Sequence, residues 1–284
     1  EMSEVASDRY FKKICERFGD EVRYWNIANE YCRFYDAEVR KYMHRDPAYK
    51  AFVEARKHLP ESAVFAYNEL SECWYDAYNN REYAPTYLIV QNLLLRGCKV
   101  DELGMQLHIF SERQWVDTLQ GRTLSPQVLF TALDVYAGLN IPLQITEITI
   151  PGLPEGEVGE ANQAFIAENF YRLWFSQREV HHLVAHGRRH FEGGGQMEVG
   201  YFEIDFSKKK VYDVLQKLIK EEWTTKVAAQ SDTDKLAFRG FYGKYKITYT
   251  LDGRKYEKII PLNKEGLKAY KLSAEDRQAT LSTN

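Results

Sequence analysis

Short runs of bulky and β-branched residues recur along the first two thirds of the chain. They lie at about 22–29, 62–68, 102–109, 142–148 and 180–186. Runs of this length, bounded by turn residues, are typical of buried strands. The segments between them repeat apolar residues at intervals of three and four, which is typical of amphipathic helices. The alternation therefore predicts an α/β protein with a parallel sheet.

Helices are predicted between the strands, and several begin at a capping residue or a proline. Ser7 precedes the first helix, and Pro126 lies in the first turn of a later one. The predicted helices cover 7–18, 47–58, 83–96, 125–138, 161–178 and 210–223. The segments 31–47, 70–82 and 110–124 are predicted as loops. Trp74 in the second of them is a candidate for stacking on a ligand, with a structural role as the equal alternative.

The pattern changes after residue 223. Tyr245, Ile247 and Tyr249 alternate with polar residues, and Asp252-Gly253 is typical of a two-residue hairpin turn. Two strands are predicted, at 236–251 and 255–260. We therefore expect a barrel-like unit over 1–223, a small β appendage over 224–272 and a polar tail over 273–284. An appendage of two or three strands is too small to be stable alone.

Two of the predicted strands carry a glutamate at or near their ends, Glu30 and Glu147. Ionised carboxylates resist burial, so this position is unusual for a buried strand. In a parallel barrel the carboxyl ends of the strands form the mouth of the active site. Two facing carboxylates are the groups that glycoside hydrolysis uses. The alternative is that each glutamate is a solvated strand end or a salt-bridge partner.

Three motifs favour the first interpretation. Trp25-Asn-Ile-Ala-Asn-Glu30 resembles the acid/base strand of glycoside hydrolase family 10, the β-1,4-xylanase family, with the pattern Trp-Asp-x-x-Asn-Glu. Ile145-Thr-Glu-Ile-Thr-Ile150 resembles the nucleophile strand, Ile-Thr-Glu-Leu-Asp-Ile. Leu103-Gly-Met-Gln-Leu-His108 resembles the strand Ile-Gly-x-Gln-x-His. The motifs follow the family order, and the resemblance extends over about residues 8–222.

The resemblance implies a (β/α)8 barrel, of the TIM-barrel type, and a retaining endo-β-1,4-glycosidase that cleaves xylan or a related β-glycan. Glu147 is then the nucleophile and Glu30 the acid/base. Asn29 is expected to bind the sugar 2-hydroxyl, while Gln106 and His108 orient Glu147. The other residues expected at the substrate site are Tyr67, Asn68 and His186. No metal and no other cofactor is expected.

A third acid, Glu69, ends the second predicted strand. It would either tune the acid/base group through like charge or pair with an arginine, and we favour the arginine pair.

Two features depart from the family pattern. A closed barrel needs eight strands, and five are found, so we expect an N-terminal segment or a complementary chain to supply three more. The family has Trp-Gly where this chain has His186-Gly187. Two alternatives therefore stay open: a non-catalytic carbohydrate-binding or scaffold protein with the same fold, and a hydrolase of another polysaccharide.

Composition narrows the classes of partner. The 284 residues carry a net charge of −3, so no basic face for nucleic acid is indicated. No apolar run approaches the length of a transmembrane helix, so no membrane partner is expected. The family resemblance implies a secreted or periplasmic protein, although no signal segment is visible.

Cysteine and histidine spacing gives little support to a metal site. Cys15, Cys32, Cys73 and Cys98 lack metal-ligand spacing, and their pairing state stays open. Helical spacing would align three of the histidines at 181, 182, 186 and 190. The apolar residues around them favour a buried strand, which breaks that alignment.

Overall fold

The computed structural model describes residues 2–33, 45–183, 199–203, 205–230, 235–263 and 269–278. The chain divides into two compact units, residues 1–214 and 215–284. The division falls inside a helix that spans Lys210–Lys217. The boundaries at 223 and 272 stay predictions.

Five parallel strands form the centre of the first unit. They are β1 (Tyr24–Asn29), β2 (Val64–Glu69), β3 (Glu102–His108), β4 (Leu143–Thr149) and β5 (Val180–Leu183). The strands are hydrogen-bonded in chain order. Parallel neighbours joined by helical crossovers are the repeating unit of a (β/α)8 barrel. The predicted α/β class and partial barrel are confirmed.

Helices alternate with these strands along the chain. The first four are α1 (Met2–Phe18), α2 (Pro47–His58), α3 (Cys73–Asn80) and α4 (Pro85–Leu95). The next four are α5 (Glu112–Leu119), α6 (Pro126–Ala137), α7 (Glu157–Phe175) and α8 (Lys210–Lys217). The described residues also contain three short helical turns: Tyr31–Arg33, Arg81–Tyr83 and Leu218–Glu222. Every helix in these described ranges is too short or too polar to span a membrane.

Two segments predicted as loops contain helices, which corrects the sequence prediction. Residues 70–82 include α3, and residues 110–124 include α5. A capping box begins α5, because Ser111 accepts from the Gln114 amide and the Gln114 side chain accepts from the Ser111 amide. This signal is present in the sequence. Ser7 lies inside α1, which begins five residues earlier than predicted.

The buried faces of two helices do not follow from the positions of their apolar residues. In α4, Leu88 and Leu95 are 45% and 80% exposed, whereas the buried residues are Thr86, Tyr87, Val90 and Leu93. In α7, Phe165 is 61% exposed. Both helices are apolar on more than one face, so periodicity alone does not fix which face packs inward.

The second unit contains an antiparallel sheet. Strands β6 (Gly243–Leu251) and β7 (Arg254–Leu262) form a hairpin, and β8 (Arg277–Gln278) pairs with β7. Asp252 and Gly253 both have positive φ, of 51° and 75°, as a type I′ turn requires. The predicted hairpin is confirmed. Tyr249 stacks on Tyr256 with ring centroids 5.7 Å apart.

Candidate active site

A continuous chain of hydrogen bonds joins the two glutamates. Gln106 Nε2 donates to Glu30 Oε1 at 2.9 Å and lies 3.4 Å from Asn29 Oδ1. Asn68 Nδ2 donates to the same Asn29 oxygen at 2.7 Å and to Glu147 Oε1 at 3.0 Å. An amide nitrogen has two hydrogens and an amide oxygen has two lone pairs. Gln106 Nε2, Asn68 Nδ2 and Asn29 Oδ1 therefore each make as many hydrogen bonds here as they can. Three amide side chains therefore fix the two carboxylates relative to each other.

Irregular strand pairing explains how these side chains converge. Neighbouring strand residues normally point to opposite faces. Between β3 and β4 the register shifts, so that Met105 pairs with Ile145 and Gln106 with Glu147. The shift leaves Thr146 as an extra residue, and a bulge of this kind redirects a side chain. Thr146 Oγ1 and Glu147 consequently both contact Asn68.

A backbone turn at Glu30 redirects side chains at the end of β1, as the bulge does in β4. Glu30 has φ of 62°, in the left-handed region that costs a non-glycine residue of order 1–3 kcal/mol. Its amide donates to the Asn68 carbonyl at 2.9 Å, which ties the turn to β2. Because the strand conformation ends here, the adjacent side chains of Asn29 and Glu30 can both contact Gln106.

Gly104 provides the space that this arrangement needs. A Cβ atom at this position would lie 2.5 Å from Asn68 Oδ1 and 2.7 Å from Thr146 Cγ2. Both distances are shorter than van der Waals contact, so any larger residue would displace Asn68. The glycine of the Leu103–His108 motif is thus required by the packing beneath the two glutamates.

His108 approaches Glu147 from the other side. Its Nε2 lies 3.3 Å from Glu147 Oε2, and its Nδ1 lies 2.7 Å from Thr149 Oγ1. The Phe110 ring stacks on the imidazole, with centroids 4.5 Å apart and planes 15° apart. The structure therefore brings His108 and Glu147 together, as the motif predicts.

The contacts of Gln106 differ from the prediction. Gln106 was expected to orient Glu147, but it donates to Glu30 and belongs to the β1 side of the network. Asn68 holds Glu147 instead. Both amides are 0–1% exposed and are used by protein groups, so neither is available to a ligand in this conformation. Asn29 is exposed, and its contact with a sugar stays a prediction. His186 lies outside the described residues.

Two aromatic residues expected at the substrate surface belong to the core. Tyr67 is fully buried and donates to Glu69 Oε2 at 2.8 Å. Burial beside the Glu69 carboxylate raises the pKa of Tyr67, so the hydroxyl stays protonated. Trp74 is also fully buried and donates to the Gln106 carbonyl at 2.8 Å. Trp74 thus has the structural role that was the alternative to stacking, and Tyr67 has no exposed surface for the predicted contact with substrate.

Glu69 has a different partner from the arginine expected. It is 1% exposed, and its Oε2 also accepts from the Cys32 amide at 3.0 Å. Burial, with the Glu69 charge nearby, raises the pKa of the Cys32 thiol to about 12. Cys32 follows Glu30 by two residues, so Glu69 anchors the segment that leaves the candidate acid/base. Sequence analysis missed this role because the contact joins residues 37 positions apart.

A buried acid lies at the opposite end of the sheet. Glu102, the first residue of β3, is 6% exposed, and its Oε2 has no hydrogen-bond partner within the described ranges. His182 Nδ1 lies 3.7 Å from its Oε1. Burial, with a smaller contribution from Asp101, raises the pKa of Glu102 from 4.5 to about 7. Protonation of Glu102 is therefore more favourable in the folded chain than in the unfolded chain.

This shift predicts a pH-dependent stability. The folded state binds the Glu102 proton more tightly than the unfolded state, so this contribution is complete below pH 4.5 and is lost as pH rises through about 7. At about 1.4 kcal/mol per pKa unit, the difference between pH 5 and pH 8 is of order 2–3 kcal/mol. Glu102→Gln should flatten the pH dependence of the unfolding free energy, measured in urea. Equal slopes for Glu102→Gln and the parent chain would contradict the prediction, and the exposed Glu155→Gln serves as the control.

Within the described ranges, one cluster of carboxylate and histidine side chains could bind a metal ion. Asp8, Glu54 and His58 place their ligand atoms within 4.8 Å of one another, on α1 and α2. Ion pairs account for part of this cluster, since His58 Nε2 lies 2.8 Å from Asp8 and Lys57 lies 2.7 Å from Glu54. The second oxygen of Glu54 is buried and has no hydrogen-bond partner among the described residues. The pair of Asp8 and His58 links α1 to α2.

The fold and the carboxylate pair together define a class of protein, a (β/α)8-type chain with a glycosidase-like site. The model of glycosyl hydrolase family 10 matches residues 3–189. The chain belongs to this family.

Two proteins with similar sequences differ in kind: one is an anti-sigma factor and the other is a xylanase. It is 26% identical over 270 residues to the anti-sigma-I factor RsgI6 of Acetivibrio thermocellus, a match that covers 91% of this chain and 31% of that protein. It is 29% identical over 150 residues to endo-1,4-beta-xylanase A of Caldicellulosiruptor saccharolyticus, covering 50% and 39%. The chain thus spans less than half the length of each of these relatives.

Solved structures support the fold. Xylanase B from Clostridium stercorarium F9 superposes with a TM-score of 0.57 at 18% identity. The match covers 73% of this chain and 64% of that structure. At this identity the likeness establishes the architecture alone.

Proposed function

We propose that this chain carries a retaining endo-β-1,4-glycosidase site for xylan or a related β-glycan. The observation that carries the proposal is the hydrogen-bonded chain from Glu30 through Gln106, Asn29 and Asn68 to Glu147. It holds two carboxylates in a fixed relation, and a retaining mechanism needs them about 5–5.5 Å apart. Because such a polymer is too large to cross a membrane, we propose a secreted or periplasmic site.

In the proposed first step, Glu147 attacks the anomeric carbon while Glu30 protonates the departing glycosidic oxygen. The C–O bond to the leaving sugar breaks, and an ester to Glu147 forms. In the second step Glu30 removes a proton from water, which displaces Glu147 from the anomeric carbon. Donors from Asn68 and His108 stabilise the ionised Glu147 before attack and after release.

Asn29 is the proposed contact to the sugar 2-hydroxyl. Its Oδ1 accepts from Asn68 and Gln106, so its Nδ2 points away from these two amides, and we assign this Nδ2 to the substrate. A hydrogen bond at the 2-hydroxyl that strengthens in the transition state supplies part of the catalysis.

A second candidate function is carbohydrate binding without turnover, as a module of a regulatory protein. The match to an anti-sigma-I factor favours it, because that match covers 91% of this chain. A binding module would use the same end of the sheet but would not need both carboxylates.

The two functions are separated by incubating the chain with xylohexaose and following the products by proton NMR. The proposal predicts hydrolysis at internal bonds, with the β-anomer formed first and mutarotation later. Initial formation of the α-anomer would contradict the retaining mechanism. Tight binding with no hydrolysis would favour the second candidate, and neither binding nor hydrolysis would point to another glycan.

A further inference from the structure

Thr149 is placed to control the protonation of His108. Register pairs the two residues across β3 and β4, and Thr149 Oγ1 lies 2.7 Å from His108 Nδ1. The Thr149 carbonyl accepts from the Ile109 amide at 3.1 Å, which fixes the backbone at this point. Thr149 is 3% exposed and His108 is 8% exposed. Thr149 therefore contacts the histidine inside the protein, away from solvent.

The proton positions follow from the chemistry of the three groups. An ionised carboxylate accepts hydrogen bonds and cannot donate. The contact between Glu147 Oε2 and His108 Nε2 at 3.3 Å therefore requires the hydrogen on Nε2. In a neutral imidazole the other nitrogen is then an acceptor, and the hydrogen bond that it receives selects the tautomer. A threonine hydroxyl can rotate to donate that hydrogen bond.

We propose that Thr149 is a positioning residue, whose hydroxyl donates to His108 Nδ1 and thereby holds the Nε2–H toward Glu147. The inference rests on the proposed role of Glu147 as nucleophile. Threonine suits a neutral histidine, because its hydroxyl carries no charge. An aspartate at this position would instead accept a hydrogen bond from a protonated Nδ1, and its negative charge would favour the imidazolium.

The stacked ring of Phe110 also helps to hold the orientation of His108. It covers one face of the imidazole at 4.5 Å, in nearly parallel orientation. With the Thr149 hydroxyl at one nitrogen and Glu147 at the other, rotation of the imidazole about its χ2 angle would break two hydrogen bonds and the ring contact. His108 is thus held in one orientation by Thr149, Glu147 and Phe110.

The tautomer is measured directly by nitrogen-15 NMR of the chain labelled at its seven histidines. His108→Gln assigns the His108 signals by their disappearance. The proposal predicts a protonated Nε2 and an unprotonated Nδ1 at pH 7. A protonated Nδ1 would overturn it, whether or not the chain hydrolyses any glycan. This measurement therefore stays informative if the proposed function fails.

Kinetics provide the second readout. Thr149→Ser keeps the hydroxyl and should keep kcat within about twofold. Thr149→Val keeps the shape and loses the donor, so kcat should fall about tenfold, the size expected when one buried hydrogen bond is lost. KM should stay unchanged because Thr149 does not contact substrate. Equal kcat values for serine and valine variants that are both folded would overturn the proposal, as would an unchanged tautomer signal in Thr149→Val.

Discussion

Glu147→Gln is expected to lower kcat for xylohexaose by at least about 10⁴-fold, because an uncharged amide cannot attack the anomeric carbon. Losses on the order of 10⁴–10⁶ accompany removal of a nucleophile that acts with its partners as a unit. The amide also meets two donors, Asn68 Nδ2 and His108 Nε2, at the two ends of the former carboxylate. One of these donors must then face the NH₂ group, so some loss of binding is expected as well.

The fold should tolerate this change. The Glu147 side chain is 26% exposed, and glutamine has nearly the same shape. The midpoint of thermal unfolding should therefore move little. Glu155→Gln is the matched control, since it removes the same charge from an exposed residue a short distance along the chain. If Glu147→Gln retained more than a tenth of the parent kcat, Glu147 would not be the nucleophile.

The elements of the barrel could largely be predicted from the sequence. The central strands β2, β3 and β4 are short runs that are buried on both faces, as in β3, where all seven residues are buried, whereas the edge strands β1 and β5 are partly exposed. Burial on both faces makes the strand visible as a continuous run. Helices α3 and α5 were missed because each is only eight residues long, about two turns in which an apolar spacing can repeat. In α5 the capping box was the stronger signal.

The two carboxylates of the candidate site could be predicted from the sequence, but only some of the contacts around them could. Motif order placed Glu30 and Glu147 at strand ends. The supporting contacts depend on the bulge beside Thr146 and on the left-handed Glu30, which simple alternation along a strand does not predict. The link from Glu69 to the Cys32 amide depends on two elements meeting in space. Such contacts are a property of the assembled sheet.

Glu30→Ala is expected to reduce hydrolysis of xylohexaose by about 10²–10⁴-fold, the usual contribution of a general acid and base. The leaving sugar alkoxide is a strong base, so departure without protonation is slow. The loss should depend on the leaving group. An aryl glycoside with an acidic phenol, such as 2,4-dinitrophenol, needs little protonation and should form the ester to Glu147 at nearly the parent rate.

The second step then distinguishes Glu30 as acid/base from Glu30 as a structural residue. Without a base, water attacks the ester slowly, whereas azide needs no deprotonation. Azide should therefore restore turnover of the aryl glycoside in Glu30→Ala, with the carbon–nitrogen bond formed as Glu147 leaves and the β configuration retained. Glu82→Ala, at an exposed glutamate, is the control and should not respond to azide. Absence of rescue in a folded Glu30→Ala chain that still forms the ester would exclude Glu30 as the base.

Because Gln106 Nε2 loses its acceptor in this variant, Glu30→Gln should be tested beside it. The glutamine oxygen can still accept from Gln106, so an equal loss in both variants would assign the effect to proton transfer rather than to a collapsed network.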